Sequence, residues 1–301
     1  MVQSLQIALL GGDERQVYMA RALAAKGFRV CVAGLGECAH RFHPAIGADS
    51  LMAATAGADI LVFPLPASVD GIHVNCPLDP AASRRFSEIL EHWRGRMILG
   101  GRLPDLLCAK AEEQGIKVID YFEDDLLQLQ NAVPTAEGAL AIAMRELSIT
   151  IDGSRTAVIG YGRIGTVLAD KLSALGAEVY LYARKERDLV RAAQRHLLPM
   201  RLSVGDGENS LCHLPRGCRV VFNTVPYPLF TRDALEAFPK DCVYIDLASA
   251  PGGIDWRAAK ELGIHTVWGT ALPGKCTPES AGIILADAVA RILNTEEVDL
   301  C

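Results

Sequence analysis

Residues 155–184 carry the pattern with the clearest chemical meaning in this chain. A short apolar run leads into a GxGxxG sequence at 160–165, and an amphipathic segment and a second apolar run follow. In such a strand–turn–helix unit the first glycine allows a tight turn, the second lets a pyrophosphate approach the backbone, and the third lets helix and strand pack closely. Unpaired N–H groups at the helix N-terminus attract the phosphates. We therefore predict a dinucleotide site whose phosphate-binding residues are Gly160, Gly162, Arg163, Ile164 and Gly165.

The second apolar run, 179–182, ends where the adenosine ribose is recognised. A site for NAD(H) has an acidic residue there, which accepts a hydrogen bond from the ribose 2′-hydroxyl. This chain has Ala183, Arg184 and Lys185 instead, and a guanidinium can bind a 2′-phosphate through paired hydrogen bonds. We expect NADP(H), with NAD(H) as the alternative cofactor. A second interpretation is that Arg184 and Lys185 only begin a solvated helix.

Later strands complete the predicted cofactor site. Apolar runs at 218–223 and 242–247 indicate two further strands of the same sheet. Ligands of parallel sheets bind beyond the carboxyl ends of the strands. We therefore expect four residues at these strand ends to contact the cofactor: Thr224, Pro226, Leu247 and Ala248.

The composition limits the partners of the chain. Its 301 residues include 30 Lys and Arg against 36 Asp and Glu, and the net charge of -6 argues against nucleic acid or an anionic membrane surface. No apolar run approaches the ~20 residues of a membrane span, and we expect no signal peptide. The nine cysteines form no CxxC pairs, so we expect free thiols and a cytoplasmic location. We expect no metal site, because Cys212-His213 with Cys218, and His40 with His43, are isolated groups.

The N-terminal part alternates strand-like and helix-like segments. This alternation is typical of a parallel sheet covered by helices on both faces. The predicted strands are 5–10, 28–33, 59–63, 96–99 and 116–119, and the predicted helices lie near 13–26, 48–57, 82–93 and 103–114.

Three strand ends in this part have unusual sequences. GGDERQ at 11–16 has glycines that leave room for a ligand, and its Asp13 and Gln16 fit a capping box. PLPAS follows the third strand at 64–68, and GGR follows the fourth at 100–102. Turn chemistry alone would explain each of them. Because all three belong to one edge of a parallel sheet, we predict a second ligand site there.

Residues 134–147 predict a helix that connects two domains, with Pro134 at or just before its first turn. Thr277 and Pro278 fit the N-cap and first position of a last helix, 278–293, which returns to the first domain. The predicted fold class is α/β, with two doubly wound, parallel-sheet (Rossmann-like) domains and a cleft between them. The predicted boundaries are 1–133 with 277–294 for the first domain, 134–150 for a hinge helix, and 151–276 for the cofactor-binding domain.

Five segments, in order along the chain, carry a family resemblance. GGDERQ at 11–16, PTAEG at 134–138, GYGRIG at 160–165, DLASAPGG at 246–253 and LPGKCTPESAG at 272–282 resemble the A subunit of dipicolinate synthase from spore-forming bacteria. The resemblance covers essentially the whole chain. It implies NAD(P)-dependent oxidation of dihydrodipicolinate to dipicolinate (pyridine-2,6-dicarboxylate) in the mother cell during sporulation. It also implies a partner, the B subunit of dipicolinate synthase, which looks like a flavoprotein, and we expect a homo-oligomer.

A small dicarboxylate substrate calls for cations and for close approach of the backbone. We expect Arg15 to bind a carboxylate and Thr135 and Glu137 to act in catalysis, Glu137 as base or orienter, with His73 as a weaker candidate base. Lys275 stands where the resemblance implies an apolar residue, which leaves its role open. The predicted substrate site comprises Gly12, Asp13, Arg15, Pro66, Ser68, Thr135, Ser249, Gly274 and Lys275, with Arg102 and Arg163 as further cations beside these loops.

Other functions fit the same two-lobed plan. The 2-hydroxyacid dehydrogenases use an Arg before a Gly-Gly turn and a late His, but this chain has Ala250-Pro251 and 272–275 (LPGK) at those places. Adenosylhomocysteine hydrolase shares the plan too, but this chain is much shorter. A non-catalytic, NADP-binding scaffold subunit is the alternative from another class. The unusual loops at the strand ends favour catalysis.

Overall fold

The computed structural model describes residues 5–37, 43–205 and 208–300. The chain divides into two compact units, one comprising residues up to 131 together with those from 277 onwards, the other residues 132–276. Each unit contains a six-stranded sheet, which confirms the predicted α/β class with two Rossmann-like domains. His40 lies outside the described residues, as do two of the nine cysteines, Cys38 and Cys301. Within the described part of the chain, no helix is long and apolar enough to cross a membrane.

The first unit opens with alternating strands and helices, as the sequence pattern predicts. The edge strand β3 was not predicted, because it is short and both of its residues are exposed. The strands are β1 (Gln6–Leu10), β2 (Arg29–Ala33), β3 (Ile46–Gly47), β4 (Ile60–Val62), β5 (Met97–Gly100) and β6 (Lys117–Asp120), and the helices are α1 (Glu14–Ala25), α2 (Leu51–Thr55), α3 (Phe86–His92) and α4 (Asp105–Glu113).

The strand order of this sheet is β3-β2-β1-β4-β5-β6, and all pairs are parallel. Alternate side chains of β1 enter two separate apolar cores: Ile7 and Leu9 pack on one face, and Ala8 and Leu10 on the other. The strand order reverses between β1 and β4. In open α/β sheets, ligands bind at the carboxyl ends of the strands beside such a reversal.

The connecting helix α5 runs from Asp125 to Glu146 and contains Pro134 in its interior. The prediction that Pro134 opens this helix is therefore wrong. The helix begins earlier because Asp124 accepts hydrogen bonds from the N–H groups of Leu126 (2.8 Å) and Leu127 (3.3 Å), which would otherwise lack partners at its N-terminus. The predicted hinge at 134–150 is thus the later part of a longer helix, and it ends before 150.

The second unit has the strand order β14-β13-β12-β7-β8-β9, again all parallel. The sequence analysis missed the edge strand β9, because Pro199 and mostly exposed side chains hide its pattern. The strands are β7 (Arg155–Ile159), β8 (Glu178–Ala183), β9 (Leu198–Arg201), the antiparallel pair β10 (Val204–Gly205) and β11 (Glu208–Asn209), β12 (Cys218–Asn223), β13 (Val243–Asp246) and β14 (Thr266–Trp268), and the helices are α6 (Arg163–Ala174), α7 (Glu186–Ala193), α8 (Arg232–Glu236), α9 (Trp256–Glu261) and α10 (Leu272–Cys276).

The last helix, α11 (Pro278–Leu300), extends beyond the predicted end at 293 and belongs to the first unit. It packs closely on α1: a Cβ at Gly282 would lie 2.4 Å from the carbonyl oxygen of Arg15. Thr277 precedes the helix as predicted, but its buried hydroxyl has no hydrogen-bond partner among the described residues and so does not cap it.

Candidate functional site

The loop after β7 has the backbone geometry of a phosphate-binding turn. Gly160 has a φ of +97°, a conformation that side chains disfavour. A Cβ at Gly160 would lie 2.4 Å from Thr224 Oγ1, and one at Gly165 would lie 2.1 Å from the carbonyl oxygen of Gly160. Glycine is therefore required at both positions for the turn and for the packing of α6 against the strand.

Gly162 differs from its two neighbours in the motif. A Cβ at this position would meet nothing within 4 Å, so the space above it is open. Gly162 is the N-cap of α6 and supplies no side-chain hydrogen bond. The first turn of α6 therefore presents N–H groups and the positive end of the helix dipole to this space. These features fit the pyrophosphate of a dinucleotide.

The other predicted phosphate-binding residues begin α6. Arg163 is exposed and takes part in an interaction within the chain. Ile164 is partly buried and packs against the apolar core of the second unit. Its contribution to phosphate binding would thus come from its backbone.

The predicted ribose end of the site lies after β8. Ala183 is buried, whereas Arg184 and Lys185 are exposed. The carbonyl oxygen of Arg184 accepts a hydrogen bond from Arg201 Nη1 at 2.7 Å. Positions 183–185 carry no acidic side chain that could accept a hydrogen bond from a ribose 2′-hydroxyl.

The remaining predicted cofactor residues lie just after the ends of β12 and β13. Thr224 Oγ1 donates to the carbonyl oxygen of Ile159 at 2.8 Å and so ties the end of β12 to the end of β7. Pro226 is exposed.

Leu247 and Ala248 are 7% and 5% exposed. Their backbone N–H groups donate to the carbonyl oxygen of Asn223 at 2.8 Å and to Asp246 Oδ1 at 3.0 Å. Their contact with a cofactor stays a prediction.

A buried carboxylate that the sequence analysis did not single out organises the loop after β13. Asp246 Oδ1 accepts from Asn223 Nδ2 (3.0 Å) and from the N–H of Ala248 (3.0 Å). Its Oδ2 accepts from the N–H of Gly253 (2.7 Å) and from the Tyr244 hydroxyl (3.3 Å). Burial, followed by the charge of Asp246, raises the pKa of Tyr244. The sequence signal that could have identified Asp246 is its place at the end of a strand, with Asn223 at the end of the neighbouring strand.

The predicted substrate residues of the second unit are only partly in loops. Ser249 is exposed in the loop after β13. Gly274 and Lys275 lie in the short helix α10 rather than in a loop, and Lys275 is exposed. Helix α10 packs on α5, because a Cβ at Gly138 would lie 2.8 Å from Leu272 Cβ.

The two predicted catalytic residues on α5 have other partners. Glu137 accepts a hydrogen bond from Lys171 Nζ at 2.8 Å, within an ion pair whose two side chains are partly exposed. Lys171 lies near the end of α6, about 12 Å along the helix from its N-terminus at 1.5 Å per residue. Glu137 is therefore engaged in an ion pair, and its role as base or orienter stays a prediction. Thr135 is 8% exposed and takes part in an interaction within the chain.

In the first unit, the loop after β1 is filled rather than open. Gly11 and Gly12 have φ values of +70° and +105°. A Cβ at Gly11 would lie 2.7 Å from the carbonyl oxygen of Asn75, and one at Gly12 would lie 2.4 Å from Gln16 Oε1. The expectation that these glycines leave room for a ligand is therefore corrected. The capping box is absent too, because neither amide atom of the buried Gln16 has a partner among the described residues.

Arg15 is buried, and its side chain is directed into its own loop. Its Nε donates to Asp13 Oδ1 and its Nη2 to Asp13 Oδ2, both at 2.8 Å. A further bond from Nη2 reaches the carbonyl oxygen of Leu65. Asp13 also caps α1 by accepting from the backbone N–H of Arg15 at 3.0 Å. The bidentate contact that we expected between Arg15 and a substrate carboxylate is instead made with Asp13.

The three unusual strand ends of the first unit are joined by backbone hydrogen bonds. The N–H of Gly12 donates to the carbonyl oxygen of Asn75, and that of Ala67 donates to the carbonyl oxygen of Gly101, both at 2.8 Å. Asn75 Nδ2 donates to the carbonyl oxygen of Pro66 at 3.1 Å. The loop that follows β4 therefore crosses the carboxyl ends of β1 and β5. The guanidinium of Arg102 at this edge lies 5.1 Å from the ring centre of Phe122.

The same loop contains a histidine oriented by a carboxylate. His73 Nδ1 lies 2.6 Å from Asp70 Oδ2. Hydrogen bonds from the backbone N–H of His73 and then from its ring lower the pKa of Asp70, which keeps this carboxylate charged. The Ser68 hydroxyl donates to the carbonyl oxygen of His73 at 2.6 Å and lies 3.0 Å from Asp70 Oδ1. Ser68 thus holds the loop that presents His73.

No group of three or more His, Cys, Asp or Glu side chains in the described part of the chain could hold a metal ion. The described cysteines, including Cys212 and Cys218, form no disulfide bond.

Two family models match the chain. Residues 6–122 match the N-terminal domain of the dipicolinate synthase A subunit. Residues 128–250 match the NAD-binding domain of the D-isomer specific 2-hydroxyacid dehydrogenases. With the open glycine loop, the second match defines the class of protein: it has a dehydrogenase-type domain that binds a nicotinamide cofactor.

Nearly the whole chain is similar to A subunits of dipicolinate synthase. The chain is 27% identical over 294 residues to the A subunit of dipicolinate synthase from Bacillus subtilis, with 97% of each chain covered. It matches the crystal structure of the corresponding A subunit from Bacillus halodurans with a TM-score of 0.85 and 28% identity, covering 97% of this chain and 99% of that one. The transhydrogenase of Sinorhizobium meliloti, at 16% identity and a TM-score of 0.67, with 96% of this chain and 92% of that chain covered, shares the fold. The chain is thus similar over nearly its whole length to dipicolinate synthase A subunits, and the resemblance carried by its five sequence segments is confirmed.

Proposed function

We propose that this protein oxidises dihydrodipicolinate to pyridine-2,6-dicarboxylate, using NADP(H) in preference to NAD(H). The observation that carries the proposal is the glycine loop of the second unit. The space above Gly162 is open, and no side chain caps the N-terminus of α6. This loop occurs in a chain that is similar over 97% of its length to the A subunit of a dipicolinate synthase. The bound nicotinamide would accept a hydride.

Forming the aromatic ring removes one hydride and one proton from the substrate. His73 is our candidate for the proton acceptor, in place of Glu137, which is paired with Lys171. Because Asp70 holds His73 Nδ1 at 2.6 Å, the tautomer with a proton on Nδ1 leaves Nε2 free to accept the proton. The product is then pyridine-2,6-dicarboxylate, with the proton on the imidazole until it passes to water.

The dicarboxylate binds, in this proposal, at the carboxyl edge of the first-unit sheet. The order reversal between β1 and β4 supports this location. Arg102 is exposed there and could pair with a carboxylate, whereas the charge of Arg15 is already compensated by Asp13. We expect Arg102→Ala to raise the KM for the substrate about tenfold, as the loss of one charge-assisted contact, with little change in NADPH affinity.

A direct assay tests the proposed activity. Purified protein with NADP⁺ and freshly prepared dihydrodipicolinate should produce the absorbance of pyridine-2,6-dicarboxylate together with that of NADPH in equal amounts. Gly162→Val protein, which should keep its fold, is the matched control for oxidation without the enzyme. Equal rates with and without active protein would reject the activity and leave a non-catalytic nucleotide-binding protein as the better interpretation.

The proposed cofactor preference depends on Arg184. Arg184→Ala should lower NADPH affinity about ten- to a hundredfold, because one charge-assisted contact is lost, and should leave NADH affinity unchanged. Titrations of both cofactors measure this ratio. An unchanged ratio would contradict the assignment of NADP(H).

The 2-hydroxyacid dehydrogenase activity is the second candidate, and the match of residues 128–250 to that NAD-binding domain favours it. The absence of the expected Arg before Pro251 and of a His in 272–275 argues against it. Reduction of pyruvate or other 2-keto acids by the protein with NADPH, in the absence of dihydrodipicolinate oxidation, would reverse our choice.

The family also supports proposals about partner and context. The relative from Bacillus subtilis is named as one subunit of a synthase, so we propose the B subunit of dipicolinate synthase as the partner, together with a role in the mother cell during sporulation. Co-purification of the two proteins and a fluorescent fusion followed through sporulation test these proposals. Fluorescence in vegetative cells alone would contradict the second.

A further inference from the structure

Arg201 lies at the corner of the second unit where the adenosine ribose is recognised. It ends β9, and Ala183 at the end of β8 is its partner across the parallel pair. Its Nη1 donates to the carbonyl oxygen of Arg184 at 2.7 Å, and its Nη2 pairs with the carboxylate of Glu186. A second guanidinium is thus fixed against the backbone of the residue that replaces the usual acidic residue of an NAD(H) site.

We propose that Arg201 is a second specificity-determining residue for the ribose 2′-phosphate, and that Glu186 competes with this phosphate for it. The inference rests on the proposed function only in that a nicotinamide dinucleotide binds to the second unit. A guanidinium forms paired hydrogen bonds with a phosphate as readily as with a carboxylate. Arg201 and Glu186 are 53% and 71% exposed, so the ion pair between them is weak and a doubly charged phosphate can displace it.

Glu186 limits the preference for NADP(H) in two ways. It occupies the side chain of Arg201 in the nucleotide-free protein, and its negative charge repels the 2′-phosphate. As the first residue of α7, it lies at the positive end of the helix dipole, where a negative side chain is favoured. A ribose with a free 2′-hydroxyl is not repelled and can donate a hydrogen bond to it. The pair therefore keeps binding of NAD(H) appreciable despite the neighbouring Arg184.

Cofactor titrations on a double-mutant cycle test this inference. Arg201→Ala should weaken NADPH binding about tenfold, for one charge-assisted contact, and leave NADH binding unchanged. Glu186→Gln should strengthen NADPH binding up to about fivefold, the equivalent of one exposed ion pair, without strengthening NADH binding. The gain from Glu186→Gln should be clearly smaller when Arg201 is already Ala, because only the repulsion of the 2′-phosphate is then relieved. Arg201→Lys should restore part of the NADPH affinity.

Glu261→Gln is the matched control. It breaks the ion pair with Arg232, in which the two side chains are 45% and 47% exposed, and α8 and α9, which carry this pair, are the helices that follow β12 and β13. It should change neither cofactor affinity. Thermal melting of each variant checks that the second unit stays folded.

The outcomes separate this inference from the proposed function. If Arg184→Ala changes the NADPH/NADH ratio and Arg201→Ala does not, the role of Arg201 is rejected and the preference for NADP(H) stands. If the gain from Glu186→Gln is undiminished without Arg201, competition between Glu186 and the phosphate is rejected and charge repulsion alone explains the gain. If the wild-type protein binds neither cofactor, both the proposed function and this inference fail.

Discussion

In each of the two sheets, the first strand along the chain is followed by a glycine turn and a helix, but the two helices begin differently. In the second unit, Gly160 follows β7, and Gly162 caps α6 without a side chain. In the first unit, Gly11 follows β1, and Asp13 caps α1 with its carboxylate. Asp13 thus supplies within the chain the negative charge that a pyrophosphate supplies at a nucleotide-binding helix.

The third position of the motif extends the contrast. Gly165 lets α6 approach the strand, whereas the corresponding Gln16 fills the space beside Gly12 with a buried amide. Both sheets nevertheless have equivalent strand orders. Sheet topology therefore does not specify a dinucleotide site, and the residues at the N-cap and one turn into the helix decide it. The first unit keeps the fold but has no space for a pyrophosphate at this loop.

Valine substitutions in the two loops should have opposite effects, and these are the largest that we predict. Gly162→Val should abolish nucleotide binding, with a loss of more than about a hundredfold, and leave the melting temperature unchanged, because a Cβ there meets nothing within 4 Å. Gly12→Val should destabilise the first unit by roughly 4 kcal/mol, because a branched side chain would adopt a positive φ and overlap Gln16. Nucleotide titration and thermal melting measure the two effects.

The comparison fails if either substitution shows the phenotype of the other. Normal NADPH titration of Gly162→Val would remove the cofactor site from this loop. Loss of NADPH binding in a folded Gly12→Val protein would indicate that the first loop also contacts nucleotide.

Asp13→Ala should destabilise the first unit by roughly 3 kcal/mol. It removes the cap of α1 and leaves the buried guanidinium of Arg15 with only the carbonyl of Leu65 among the partners described above. We expect Asp13→Asn to lose less stability than Asp13→Ala, because an amide oxygen still caps the helix. Chemical denaturation of the three proteins gives the order. Equal stability of wild-type and Asp13→Ala protein would show that Arg15 does not depend on this carboxylate, and would revive its assignment to a substrate.

Pattern and spacing predicted the sheet cores and the glycine loop of the second unit. Buried strands such as β7 are continuous apolar runs, and a GxGxxG sequence fixes both the turn and the helix start. The same reasoning missed β9, whose side chains are mostly exposed, and began α5 at Pro134, although the cap at Asp124 lies upstream. Exposed edge strands and helix caps depend on single contacts, and the hydrophobic periodicity of the sequence does not indicate such contacts.

The candidate site was less predictable, because charge alone does not show which partner a side chain takes. Arg15 and Glu137 have the right chemistry for substrate binding and catalysis, but Asp13 and Lys171 occupy them. Asp70, in contrast, orients His73 through contacts within a single loop. The sequence contains these residues without indicating which of the carboxylates pairs with which cation.

Gln16→Met should have the smallest effect of those predicted here, and it tests why the first loop is filled. The amide nitrogen and oxygen of Gln16 are both buried without a partner among the described residues. Methionine has a similar volume and no such polar groups, so the variant should be as stable as wild type or more stable by about 1 kcal/mol. Gln16→Ala is the control: it removes the polar groups as well but leaves a cavity, and should be less stable than Gln16→Met. Chemical denaturation measures both. If Gln16→Met is clearly destabilised, the amide has a partner such as a bound water, and the loop is held by a polar contact rather than by volume alone.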